Sequence, residues 1–301
     1  MTPFKAMPPI VQAALLMTFS GLSFGLMNAG IRAVGTDLHT FEVVFFRNFF
    51  ALLVMLPWVL FHISELSKID RLPLHILRSL IGLVGMYLFF YSIEIIAIAD
   101  TVALTFSAPL FVLIGAVVFL GEKVRLRRWV ATIIGFVGVL VIIQPGSSGF
   151  NPMFAVPLLA SLFIAGALLL VKHISKTNNP YVMVFVMTLV TTPVSLVPAL
   201  AVWQTPTPEQ WVWLFALGLL GTIAHVFFTQ AFKLVETSAV IPFDYLRLPF
   251  TALFAFLLFG EIPGLNLWIG AALVVSATLY IARREAQIAA QSSALKKSHE
   301  R

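Results

Sequence analysis

Gly121–Trp129 reads GEKVRLRRW and Gly260–Trp268 reads GEIPGLNLW. Each stretch opens on Gly-Glu, closes on Trp at the same spacing, and follows an apolar run that contains a proline, Pro109 in one case and Pro249 in the other. The offset is 139 residues between Gly121 and Gly260 and 140 between Pro109 and Pro249, one residue of slippage. Upstream, LSFGLMNAGIR (Leu22–Arg32) lies over LFIAGALLLVK (Leu162–Lys172), again 140 residues apart. The chain is a tandem duplication, and the nature of the repeated unit decides the fold.

That unit is membranous. Hydrophobic residues make up 60% of the 301 positions and charged ones 11%, with a mean hydropathy of +0.99; soluble domains are about half apolar and a quarter charged. A hydrocarbon core about 30 Å thick takes roughly 20 apolar residues per helix. Ten such stretches are expected, at 9–34, 40–62, 73–93, 101–120, 129–143, 152–172, 180–203, 209–231, 238–259 and 265–281. Outer-membrane barrel strands would be runs of about ten residues with alternating polarity, and these runs are longer and continuously apolar. The expected fold class is an all-α polytopic membrane protein, ten helices in two five-helix repeats: residues 1–146, residues 147–283, and a basic tail over 284–301. The first apolar stretch has the length of a spanning helix rather than of a secretory signal, so it is expected to be retained. With no cysteine in the sequence, disulfides and thiolate metal sites are excluded.

The basic residues set an orientation. With the N-terminus inside, all but Arg32, Arg47 and Arg247 of the 19 lysines and arginines fall in cytoplasmic segments, the bias of the positive-inside rule. Both termini are therefore expected in the cytoplasm. The net charge of +6 is spread over these loops, so nucleic acid is not an expected partner; the lipid bilayer and a small-molecule substrate are, with the protein a monomer or weak homodimer. Trp203, Trp211, Trp213 and Trp268 fall near the predicted outer boundary and Trp58 and Trp129 near the inner one, as interfacial anchors do.

Five helices per repeat is an odd number, so the second repeat enters the membrane from the opposite side. Inverted repeats are characteristic of secondary transporters, in which two similar halves exchange conformations around a midplane site. The ten-helix plan, the paired proline, Gly-Glu and Trp signals, and the arginine within FEVVFFRNFFALLVMLP (Phe41–Pro57) resemble the drug/metabolite transporter superfamily, EamA group. The resemblance covers about residues 9–281. It implies a bacterial inner-membrane carrier with a central cavity lined by both halves, working by alternating access, for a substrate class that includes amino acids and related metabolites.

A charge at the centre of a spanning helix costs about 2.5–3.5 kcal/mol on insertion scales, so the few ionisable groups inside the spans are the candidates. Asp244 and Arg247 lie three apart on one helical face, with Thr251 one turn further along it. They read either as a self-neutralising pair that lets the helix insert, or as a site in which Arg247 offers a donor fork to a carboxylate and Asp244 receives an amine. Arg47 has Glu42 five residues away, about 140° around the helix, and needs a counter-charge from elsewhere. His225 is a candidate for proton coupling, with Asp244; Tyr87, Tyr91 and Asn28 are candidate lining residues. Pro109 and Pro249 each remove a backbone hydrogen bond and are expected to bend their helices. Gly21 and Gly25, on the face of Asn28, allow close helix approach.

Other classes fit less well. The sequence has no Walker-type phosphate loop for a primary pump and no HExxH or clustered acids for a membrane enzyme, and an inverted repeat suits a carrier better than a channel. Neither a metal nor a cofactor is expected. The expected function is export of amino acids across the inner membrane, and the alternative is import of a cofactor-like metabolite such as riboflavin or S-adenosylmethionine.

Overall fold

A computed structural model describes residues 7–35, 37–66, 69–108, 110–112, 114–115, 126–144, 151–174, 177–234, 243–277 and 279–280. Pro109, the Gly121-Glu122 pair and the basic tail lie outside them. The described residues form α1 (Pro9–Gly35), α2 (Thr40–Phe61), α3 (Leu72–Ile95), α4 (Ile98–Thr105), α5 (Leu126–Ile143), α6 (Ala155–Ile174), α7 (Pro180–Leu200), α8 (Pro208–Leu234) and α9 (Arg247–Phe259), followed by α10 (Leu265–Ala277). Helices α1, α2, α3, α6, α7 and α8 are long and apolar enough to cross a bilayer, and the other four are shorter apolar helices. The sequence punctuates them locally. Asn179 caps α7 by accepting from the Tyr181 N–H at 3.1 Å, with Pro180 at the first helical position, where its missing donor costs nothing.

The packing shows the two-fold relation between the halves. Helix α1 lies on α8, where Ser20 Oγ donates to the Ala224 carbonyl at 2.9 Å. Its counterpart pair is α3 on α6, where Gly85 meets Phe163 and Ile164. Equivalent helices run antiparallel to each other. At one end of α2 and α7 Glu42 Oε1 accepts from the Gln204 N–H at 2.7 Å, and at the other the Trp58 and Tyr181 rings stack with centroids 4.9 Å apart. In α5 and α10 Gly138 lies against Gly270 while Gly135 lies against Ala277. Two five-helix units related this way are inverted in the membrane.

Polarity is arranged inside out. Ser20, Asn28, Thr101, Thr105, Ser107, Ser161, Thr188 and Thr251 are buried, whereas Phe61 is 85% exposed and Val197 70%. In lipid the polar groups find partners only within the bundle, so the apolar faces turn outward.

The Gly-Glu signal has a structural reason. Gly260 ends α9 with φ 68°, a left-handed conformation that favours glycine. Its N–H donates to the Phe256 carbonyl, the bond of the αL closure of a helix, and that of Glu261 donates to the Ala255 carbonyl. The turn carries the Glu261 side chain back to the bundle, where it pairs with Arg32 of α1 and accepts from the Ile98 N–H at 3.0 Å, capping α4. Arg32 also donates to the Ile93 carbonyl at 2.8 Å. One carboxylate thereby ties α1, α3, α4 and α9 together at this end.

Candidate substrate site at two interrupted helices

Helix α9 does not run unbroken through the membrane. Phe243 and Asp244 are helical, Tyr245 and Leu246 form a turn, and the helix resumes at Arg247. Pro249 explains the break: it has no N–H for the carbonyl four residues back, and that carbonyl, of Tyr245, accepts from Leu248 instead at 3.1 Å. The interruption sits at the foot of α9, before Pro249, whereas the sequence leads one to expect a bend within the helix. The other repeat has the same interruption. Helix α4 ends at Thr105, Phe106 and Ser107 form a turn, and Ala108 is helical again, 139 residues before the break in α9. The two turns touch, with the Phe106 and Tyr245 rings edge to face at 5.0 Å. Broken helices facing each other at depth are where transporters build their sites, because backbone there is free of the helical ladder.

Asp244 and Arg247 flank this break. Arg247 lies about 20 Å along the helix axis from Gly260 at 1.5 Å per residue. Its guanidinium stands over the rings of Phe24 at 5.4 Å and Phe106 at 5.3 Å, and its Nη2 is 4.0 Å from Asp244 Oδ2. Arg247 Nε is buried without a hydrogen-bond partner, so the pair is loose and incompletely satisfied. Close approach of α1 frames it: a Cβ on Gly21 would stand 3.3 Å from the Arg247 backbone nitrogen, and one on Gly25 3.1 Å from that of Thr251. One turn along, Asn28 Nδ2 donates to Thr251 Oγ1 at 3.4 Å, and Asn28 Oδ1 is buried with no partner. In the pseudo-equivalent place of the other half, Ser107 Oγ meets Ser161 Oγ at 2.9 Å, so the charges belong to one repeat only.

Arg47 is 1% exposed. Its Nη1 donates to Asn48 Oδ1 at 2.9 Å, its Nε has no partner, and its guanidinium lies against Gly221 of α8, where a Cβ would come within 2.7 Å. Glu42 is turned away to Gln204, as the helical spacing requires. His225, one turn from Gly221, stands edge-on to Phe24 at 5.2 Å and within electrostatic reach of Arg47, Arg78 and Arg247. The structure thus gathers Arg47, His225, Asp244, Arg247, Asn28 and Thr251 in the bundle interior. Two candidates fall elsewhere. Tyr87 lines an apolar groove of about 550 Å³ between α3 and α7 with Leu83, Val84, Pro193 and Val197, and Tyr91 is 44% exposed on the outside of the bundle.

Sequence reasoning missed Arg78. Counted there among the loop residues, it lies two turns into α3, 8% exposed, with Nη1 donating to the Met183 carbonyl at 3.3 Å. The signal available was its position inside the expected span at 73–93.

The model of the EamA-like transporter family matches residues 11–144 and again 152–283. The chain belongs to that family. This EamA-like transporter is therefore a multi-pass membrane carrier and not an enzyme. It is 36% identical over 267 residues to the S-adenosylmethionine uptake transporter of Rickettsia felis, covering 89% of each chain. It is 32% identical over 280 residues to the riboflavin transporter of Vibrio cholerae, covering 91% of this chain and 94% of that one. A solved crystal structure 16% identical in sequence matches the EamA-like transporter with a TM-score of 0.60, over 90% of this chain and 98% of its own, a likeness of fold.

Proposed function

We propose that this carrier imports a cofactor-sized metabolite, S-adenosylmethionine first, across the bacterial inner membrane by alternating access, with both termini in the cytoplasm. The observation that carries the reading is the length of chain shared with an S-adenosylmethionine uptake transporter, 89% of each protein. The geometry supports it: a zwitterionic cargo with a second cation and an aromatic base finds Asp244 for positive charge, Arg247 for the carboxylate, and Phe24 and Phe106 beside them. The loose Asp244–Arg247 pair closes on itself in the empty carrier and opens when cargo replaces one partner. Riboflavin import is the second reading, supported by the likeness to the Vibrio protein. These relatives favour import of such compounds over export of amino acids.

Purified protein in liposomes, given labelled S-adenosylmethionine, riboflavin and a set of amino acids, tests this. Uptake of S-adenosylmethionine is the expected result, and it should be lost in Arg247→Ala with the protein still folded. Movement of amino acids alone would overturn the reading.

A further inference from the structure

The seam between α1 and α9 keeps two buried polar atoms without partners. Asn28 is 1% exposed and Thr251 0%. Asn28 Nδ2 donates to Thr251 Oγ1 at 3.4 Å, which leaves Asn28 Oδ1, an acceptor, unsatisfied. Arg247, four residues and one helical turn before Thr251, has its Nε, a donor, in the same condition. The same step of four separates Phe24 from Asn28 on α1, and the Arg247 guanidinium stands over the Phe24 ring at 5.4 Å. Four residues on two facing helices thus meet at two successive levels, Phe24 with Arg247 and Asn28 with Thr251. Buried polar groups in folded proteins are nearly all hydrogen-bonded, and each exception calls for a reason.

Helix packing does not supply the reason here. Helices α1 and α9 already meet at their backbones, where a Cβ on Gly25 would stand 3.1 Å from the Thr251 nitrogen. A tie between helices would engage both ends of the Asn28 amide, and only one is engaged. The duplicated scaffold does not supply it either: 140 residues from Asn28 and Thr251 stand Leu168 and Phe111, both apolar, so the other repeat is built without this pair. An acceptor and a donor left over one turn apart, beside an aromatic ring, match a flat ligand whose edge carries an N–H next to an acceptor.

We propose that Asn28 is a specificity-determining residue of the cargo site and reads a heteroaromatic ring by its edge. Thr251 holds Nδ2, Oδ1 accepts from the ring's N–H, and Arg247 Nε donates to the acceptor beside it. The two cargoes proposed above present that pattern alike, S-adenosylmethionine through the 6-amino group of its adenine next to N1, riboflavin through N3–H next to a ring carbonyl. Which of the two is carried rests on the import reading; that an edge is read rests on the seam.

Binding to the full chain in lipid nanodiscs, followed by calorimetry, tests this with pairs that differ at one N–H group. S-adenosylmethionine is compared with the analogue bearing hydrogen in place of the 6-amino group, riboflavin with 3-methylriboflavin, and adenine with purine as the smallest probes. A site built to hydrogen-bond an N–H rejects the analogue that lacks it, so the N–H compound is expected to bind tighter by about tenfold or more in each pair that binds. Asn28→Leu and Asn28→Ala should each reduce that ratio to near one. Asn28→Leu should also leave the unfolding midpoint of the empty protein unchanged or higher, since it removes an unsatisfied polar atom. Binding of none of the six compounds, or no preference in any pair that binds, would overturn the proposal on the unaltered protein alone. A preference that survives in both variants would overturn it too. Adenine preferred over purine through Asn28, with neither S-adenosylmethionine nor riboflavin bound, would defeat the import reading and leave the edge-reading role standing. Uptake of S-adenosylmethionine without any preference in its pair would do the reverse.

Discussion

Gly218 and Gly221 of α8 stand three residues apart against α2, and they answer to different neighbours. A Cβ at Gly218 would come within 2.4 Å of Phe50 Cβ and 2.8 Å of the Ala51 nitrogen, atoms that cannot yield without separating the helices. Gly218→Ala is expected to destabilise the protein by about 1–3 kcal/mol, the usual cost of overpacking, read as a lower unfolding midpoint in detergent. At Gly221 the obstacle is the far end of the Arg47 side chain, which can swing aside. Gly221→Ala should leave the midpoint nearly unchanged and reduce transport about tenfold, through a misplaced guanidinium. Equal midpoints for the two variants would contradict this division.

At the scale of the element, the Gly260-Glu261 turn turns a family signal into a mechanical part. Glu261 serves Arg32 and the Ile98 N–H together. Its removal leaves a part-buried guanidinium without its counter-charge and the first turn of α4 without its acceptor, and hydrogen bonds to charged groups contribute about 1.5–3 kcal/mol each. Glu261→Ala is expected to lower the unfolding midpoint clearly and Glu261→Gln to lower it less, since an amide oxygen still accepts from Ile98. A midpoint for Glu261→Ala equal to that of the unaltered protein would mean that the tie contributes nothing. The interruptions before Pro109 and Pro249 were signalled by the prolines. Their contact through Phe106 and Tyr245 was not, because it joins residues 139 positions apart.

For the whole molecule, inversion follows from an odd number of helices per repeat, and the sidedness proposed above rests on the distribution of lysine and arginine. The chain has no cysteine, so single introduced thiols report sidedness cleanly. Thr205→Cys, in the exposed connection between α7 and α8, should react with an impermeant maleimide on intact cells. Ile63→Cys, 61% exposed at the opposite end, should react only after permeabilisation. The reverse pattern would invert the proposed topology.

Hydropathy and the repeat offset determined by themselves that this is a helical membrane protein of two inverted units, because spanning length and odd helix number are properties of the chain alone. They also singled out Arg47, Asp244 and Arg247, since charge inside an apolar run is costly wherever the run packs. Only the tertiary structure decided which of those groups meet. It drew Arg78 into the interior and opposed Arg47 to Gly221. It also turned Tyr91 outward and set Tyr87 in a separate groove. Side-chain direction around a helix depends on which neighbours cover it, and those neighbours come from the other half of the chain.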